Sequence, residues 1–330
     1  MICVNFTFSQ SLYQVNNKIK IPGNGSWDYI SVDEPTGTLF VSHGNEMDVI
    51  DLKDNNKLIA IVKELKGVHG IALIKELDMG YISNGKDNSV TIIDLETYEF
   101  VKNIKITGKN PDAILYDPFS HQVFSFNGGS SDVTVLDVNK LNVVGTIKLS
   151  GKPEFAVTDK KGKVFVNIED KNSICVINVN TLKVEKTWSI HPGKTPSGLA
   201  IDRVNNRLFS VCDNKLMVVV DAETGKVITT VKIGKDVDGV AYDIALKRIF
   251  VSCGEGTLTV IQQNDADNYS VLENVATQKG ASTIALNSET HTLYLPTAQY
   301  KPAQKPTAKN PKPRLIVKPG SFTVLEVGLK

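Results

Sequence analysis

The chain has 330 residues, of which 41% are hydrophobic and 22% charged, and its formal net charge is +1. That balance is ordinary for a globular chain with a sizeable core, and it exerts no global pull toward nucleic acid or an anionic membrane surface. No apolar run approaches the roughly 20 residues that a membrane-spanning helix needs.

Residues 1–11 (Met1 to Ser11) are apolar and rich in small residues, without a basic leading stretch, and are too short for a complete signal peptide. They read as a tail or as the remnant of an export signal. The expectation is a periplasmic or extracellular protein, with a cytoplasmic one as the alternative.

From residue 12 onward a unit of about 43 residues recurs. Each unit reads as a Gly-containing turn followed by four short strands. An acidic or amide slot closes the third strand at Asp51, Asp94, Asp137, Asn178 and Asp221, at successive steps of 43, 43, 41 and 43 residues, and then at Gln262 and Glu326. The second strands, in chain order, start at Leu39, Gly80, Val123, Val164, Leu208, Ile249 and Leu293, which makes seven. They are rich in β-branched and aromatic residues and bounded by turn residues such as Glu34-Pro35-Thr36-Gly37. No sustained helical periodicity interrupts them. The spacing predicts an all-β chain, a seven-bladed β-propeller of four-stranded antiparallel blades spanning residues 12–330 as one domain.

The last unit, ending on Phe322 to Val327, lacks a fourth strand, while Gln14 to Gly23 has the pattern of one. The N-terminal strand is therefore expected to complete the last blade and close the ring. Residues 299–319 interrupt that blade with five prolines, six basic residues and no acid. The stretch reads as a stiff, extended arm rather than a helix.

Four cysteines occur, at positions 3, 175, 212 and 253, with no CxxC spacing. Cys212 and Cys253 share one slot in neighbouring units. They read as two small strand-end residues, with a disulfide or shared metal as the alternative.

Strands that alternate in direction outward from the axis place the approach to each first strand and the turn after each second strand on one face. The first set is Asp28, His69, Asp112, Glu154, Ser197, Asp238 and Ser282, expected as a ring around the channel mouth. The second is His43, Asn84, Asn127, Asn167 or Ile168, Cys212, Cys253 and Thr297, expected as a neighbouring ring. Converging carboxylates repel one another, so such a ring either bonds to backbone amides and water or holds a cation or polar ligand. His43 and His69 with Asp28 or Asp112 form a candidate site for a divalent cation. The arm leaves from the same face and would set Tyr300 and Arg314 near a ligand, as a lid or clamp. A single basic arm without interleaved aromatics does not point to a nucleic-acid partner.

The strand Tyr81-Ile82-Ser83-Asn84 is a close variant of the tetrapeptide Tyr-Val-Thr-Asn, and Phe40 to His43 and Phe124 to Asn127 are looser copies. With the turns Gly108-Lys109-Asn110-Pro111, Gly151-Lys152-Pro153 and Gly193-Lys194-Thr195-Pro196, the chain resembles the YVTN-repeat, YncE-like seven-bladed propellers of bacteria over roughly residues 14–330. The resemblance implies a propeller fold and no single activity, since that family includes surface proteins, periplasmic proteins and relatives of lactonase-type enzymes. His43, Cys212 and Cys253 depart from the terminal Asn of its repeat.

No phosphate loop, nucleophile elbow or zinc-protease motif is present. The leading expectation is a binding or interaction protein acting through the channel-mouth face on a small ligand, a metal or a protein partner. The alternatives are a lactonase-like metal-dependent hydrolase and a structural component of the cell envelope.

Overall fold

The second and third strands of each unit are nearly continuous apolar runs, which is the pattern of strands buried on both faces. The computed structural model, which describes residues 11–24, 26–302 and 316–330, explains why. Its strands form seven four-stranded antiparallel sheets among the described residues, arranged as the blades of a propeller. Blade 1 runs from the inside outward as Ile30–Asp33, Thr38–His43, Glu46–Asp51 and Lys57–Val62. Blades 2 to 6 begin on the inner strands Val68–Ile74, Pro111–Asp117, Pro153–Thr158, Pro196–Asp202 and Val237–Asp243. Only two short 3-10 turns, Lys75–Leu77 and Glu169–Lys171, add helix among the described residues.

The core lies between blades rather than within one. In blade 4, Phe165 packs toward blade 5 with Leu208 and Val218, while Val164 and Val166 pack toward blade 3 with Phe124 and Val133. Every blade carries an aromatic at the third position of its second strand: Phe40, Tyr81, Phe124, Phe165, Phe209, Phe250 and Tyr294, none more than 4% exposed. Each acts as a wedge between neighbouring sheets, and truncation to alanine would cost about 3–5 kcal/mol. The outer strands alternate instead, as in Asn142–Lys148, because only one face meets a neighbour.

The acidic slot has a local purpose. The side-chain oxygen of Asp51 accepts the backbone N–H groups of Lys53 and Asp54, and Asp94, Asp137 and Asp221 repeat the pattern two and three residues on. Asn178 does the same with Asn180 and Thr181. One acceptor oxygen suffices for this turn, so an amide replaces a carboxylate without loss. Glu326 departs because no turn follows it; its carboxylate meets Asn17 of the strand that arrives from the other terminus.

That strand, Tyr13–Lys20, pairs antiparallel with Thr323–Leu329 from Tyr13 opposite Leu329 to Lys20 opposite Thr323, with a bulge between Val15 and Asn17. It forms the outer strand of blade 7, as the missing fourth strand required. Blade 6 grips it as well. Glu273 accepts the Tyr13 backbone N–H at 2.9 Å, Arg248 donates to the Tyr13 hydroxyl at 2.7 Å, and the Tyr13 ring meets Phe250 edge-on at 5.2 Å. The expected tail is described only from Ser11, and residues 1–10 lie outside the described residues. No helix among the described residues is long and apolar enough to cross a membrane.

Cys175, Cys212 and Cys253 are buried free thiols. Cys212 and Cys253 form no disulfide with each other, and burial pushes the Cys212 thiol up to about 12. The reading as small strand-end residues is the one the geometry matches.

Candidate site at the channel mouth

Each inner strand begins at the axis, so the residue at its start projects into the channel. Asp28, Asp112, Glu154, Ser197 and Asp238 line one depression of about 310 Å³ there. His69 joins them through Asp28 and Asp112: its Nδ1 lies 2.5 Å from Asp28 Oδ2 and 3.3 Å from Asp112 Oδ1. Three successive blades thus contribute one carboxylate, one imidazole and one carboxylate to a single cluster, whose ligand atoms lie within 4.8 Å of one another.

Next in the chain to Asp28 and Glu154 stand Tyr29 and Phe155, in edge contact at 5.3 Å. The same position holds Gly70, Ala113, Gly198, Gly239 and Thr283 in the other blades. Two large rings fit the narrow axis because three neighbours lack a side chain. A Cβ on Gly70 would sit 3.3 Å from the Tyr29 ring, and Gly198 and Gly239 line the residual gap beside both rings.

Six mouth residues were not foreseen: Tyr29, Lys152, Glu169, Thr195, Asp213 and Val237. Lys152 Nζ bridges Glu154 at 2.6 Å and Glu169 at 2.5 Å. Glu169 and Asp213 follow the second strands of blades 4 and 5, where blades 1, 2, 3 and 6 carry Gly44, Gly85, Gly128 and Gly254. An acid in a slot that four other blades fill with glycine is the signal that could have found them. In blade 2 an acid has no room there, since a Cβ on Gly85 would strike His69 at 2.5 Å.

The electrostatics follow from six carboxylates facing one lysine and one imidazole. Burial pushes the Asp112 carboxyl up; the downward pull of His69 is opposed by Asp28, and it comes to about 6. Glu154 is raised by burial, lowered by Lys152 and raised again by Asp112, to about 7. Burial and the charges of Asp28, Glu154 and Asp112 carry Asp238 well above the usual carboxylate range. For His69, burial works downward, but the hydrogen bond to Asp28 and the surrounding acids outweigh it and the imidazole is raised. Lys152, although burial opposes its charge, is held up by its two glutamate partners. The mouth therefore favours positive charge, supplied by protons or by a bound cation.

The neighbouring ring of second-strand ends is organised differently. Asn84 is buried and donates to Thr91 at 2.9 Å, and Asn127 is buried and donates to Asp132 at 2.8 Å and Thr134 at 3.0 Å. Their side chains turn into the blade, where they tie the second strand to the third, and do not line the mouth cavity. In blade 4 the strand ends on Ile168, and Asn167 instead crosses to the carbonyls of Ser197 and Gly198 in blade 5. His43 also points into its own blade, toward Glu46 and Asp48, so the two histidines expected to share a site belong to separate clusters. The reason is positional: His69 opens an inner strand at the axis, whereas His43 ends a second strand under the turn.

Tyr300 belongs to the stem of the arm. It bridges to Val317, and Lys301 N–H donates to Ile316 at 2.8 Å. The Tyr300 ring stands 6.5 Å from Trp27, with its hydroxyl over Gly280, where any Cβ would collide. Arg314 and residues 303–315 lie outside the described residues.

The fold is shared with solved propellers. The structure superposes on the WD40 repeats of RRP9 with a TM-score of 0.81 at 9% identity, covering 97% of this chain and 99% of that one. It matches a chain of the mitotic checkpoint complex with a TM-score of 0.75 at 14% identity, over 86% and 88%. It also matches a chain of Kuenenia stuttgartiensis hydrazine synthase with a TM-score of 0.74 at 16% identity, over 85% and 94%. These likenesses define the chain as a seven-bladed β-propeller and extend to the fold alone. No family model matches the sequence, and no curated protein matches it.

Proposed function

We propose that this propeller is a binding protein whose acidic mouth takes a positively charged group presented by a small ligand or a protein partner. The observation that carries the reading is a cavity in which six carboxylates face a single lysine, with Asp112 and Glu154 raised to about 6 and about 7. An inert channel can satisfy its polar groups with backbone and water; carboxylates crowded until they hold protons near neutral pH remain open to a cation. A matching propeller occurs within the mitotic checkpoint complex, a protein assembly, which is in keeping with an interaction role for this architecture. Membership of the YVTN-repeat family and export from the cytoplasm belong to the same proposal, on the strength of the Tyr81-Ile82-Ser83-Asn84 repeat and the leading segment.

Titration with a short lysine-rich peptide tests it. Saturable binding is expected, weakening as salt rises, and falling at least tenfold in Asp28→Asn and Asp112→Asn. Absence of binding, or binding indifferent to both substitutions, overturns the proposal.

A metal-dependent hydrolase is the second reading, favoured by the Asp28–His69–Asp112 cluster beside a protonatable Glu154. A cation there would polarise a lactone carbonyl, and Glu154 would serve as base toward water. This reading expects lactone hydrolysis that is lost with a chelator and in Glu154→Gln; protein without such activity in the presence of divalent ions excludes it.

A further inference from the structure

We propose that His43, Glu46 and Asp48 form a separate site for a divalent transition-metal ion, one that pins blade 1 to the seam where the ring closes. The proposal is independent of the channel mouth. It begins with the hairpin between the second and third strands of blade 1, where His43 lies opposite Glu46 and Val41 opposite Asp48. Period-two alternation puts His43, Glu46 and Asp48 on one face of the sheet. His43 Nδ1 stands 2.9 Å from Asp48 Oδ2 and 3.3 Å from Glu46 Oε1.

The other blades show what this position ordinarily holds. In blade 2 the same three positions are Asn84, Ser89 and Thr91, with the amide donating to both hydroxyls. In blade 3 they are Asn127, Asp132 and Thr134, again closed by the amide. Blade 1 alone places an imidazole and two carboxylates there. The result is not closed. His43 Nε2 and Asp48 Oδ1 are buried with no hydrogen-bond partner among the described residues, in side chains that are each only 1% exposed.

Two carboxylates converge on the one nitrogen Nδ1, and nothing among the described residues donates to the buried Asp48 Oδ1. A divalent ion serves all three groups at once, with Nδ1 as the nitrogen ligand, and Asp48 can coordinate through Oδ1 as well as Oδ2. The spacing fits: bonds of about 2.0–2.1 Å place adjacent ligand atoms about 3.0–3.4 Å apart, close to the separations seen. The imidazole nitrogen favours a first-row transition ion over calcium or magnesium. Glu46, one-third exposed on its side chain, gives the ion a path in and leaves room for water.

The position gives the ion a structural consequence. The His43 ring packs on Phe322, centroids 4.7 Å apart, and a Cβ on Gly23 would lie 3.1 Å from its Cε1. Ile21 N–H donates to the Phe322 carbonyl at 3.1 Å, and Gly320 N–H to Asn24 at 2.9 Å. Fixing His43 therefore fixes the joint between the N-terminal strand and the last strand.

Chelator-treated Asp28→Asn/Asp112→Asn protein, which lacks the mouth carboxylates, should take up one equivalent of Co²⁺, with visible absorption bands and a rise in melting temperature of several degrees. Adding His43→Asn, which restores the residue of blades 2 and 3, should abolish uptake. Glu46→Gln, at a partly exposed position where folding is safe, should weaken uptake at least tenfold. Failure of the double variant to bind Co²⁺ stoichiometrically overturns the site, as does uptake unchanged by both His43→Asn and Glu46→Gln.

Discussion

Deleting residues 12–22 is expected to lower the unfolding free energy by several kcal/mol and to make the ring open before the blades melt. The strand Tyr13–Lys20 pairs along its length with Thr323–Leu329, so its loss exposes a sheet edge and removes the strand that joins the last blade to the first. It also uncovers Phe250 and leaves Glu273 and Arg248 without Tyr13. Adding the deleted segment back as a peptide should restore part of the stability, because the edge is a ready template for one strand. An unchanged melting temperature in the truncated protein would rule out the closure as a stabilising device. Hydrogen exchange offers a finer check: amides of Thr323–Leu329 should lose protection first.

The second large effect is a fall in stability as pH rises from about 4.5 to 8, made shallower by Asp238→Asn. Asp112, Glu154 and Asp238 all have folded values above those of free carboxyls. Between the unfolded and folded values the folded state binds more protons than the unfolded chain, so stability decreases with pH across that interval. His69 acts with the same sign: its raised imidazole contributes stability below its ordinary value, and this is lost as pH passes the folded one. In the opposite direction, Asp94, Asp137, Asp202 and Asp221 are lowered by their turn hydrogen bonds, so their contribution disappears only in stronger acid. The optimum should fall at about pH 4–4.5, where the two opposing trends meet. Asp238 draws only on burial and neighbouring charges, with no hydrogen bond to offset them. Replacing it with Asn should stabilise the protein at pH 8 and change its stability hardly at all at pH 4. Thermal melts of both proteins across that range decide the matter, and parallel curves would refute the repulsion argument. A cation held at the mouth should flatten the wild-type curve in the same way.

The repeat was legible because every blade faces the same packing problem. The aromatic wedge from Phe40 to Tyr294 and the turn-forming slot from Asp51 to Asp221 recur because each sheet packs against two copies of itself. The inner ring of Asp28, His69, Asp112, Glu154 and Asp238 followed from topology alone, since the start of an inner strand has only the axis to face. Asn84, Asn127 and His43 misled because the end of a second strand has two directions open to it. The hydroxyls and carboxylates of the third strand, invisible at that remove in sequence, draw the side chains inward. Lys152 reads like the lysines of other Gly-Lys turns, and only the proximity of Glu154 and Glu169 distinguishes it.

By itself, the order of residues determined the number of blades, the strand that closes them and the residues that open each inner strand. Those properties depend on periodicity and on backbone hydrogen bonding, which are local or repeated. Tertiary structure alone decided that Tyr29 meets Phe155 across the ring, that Glu169 and Asp213 join the mouth, and that His43 and His69 serve different clusters. The first two depend on side chains from different blades sharing one volume or one charge, and the third on which face of its own hairpin His43 takes, none of which periodicity decides.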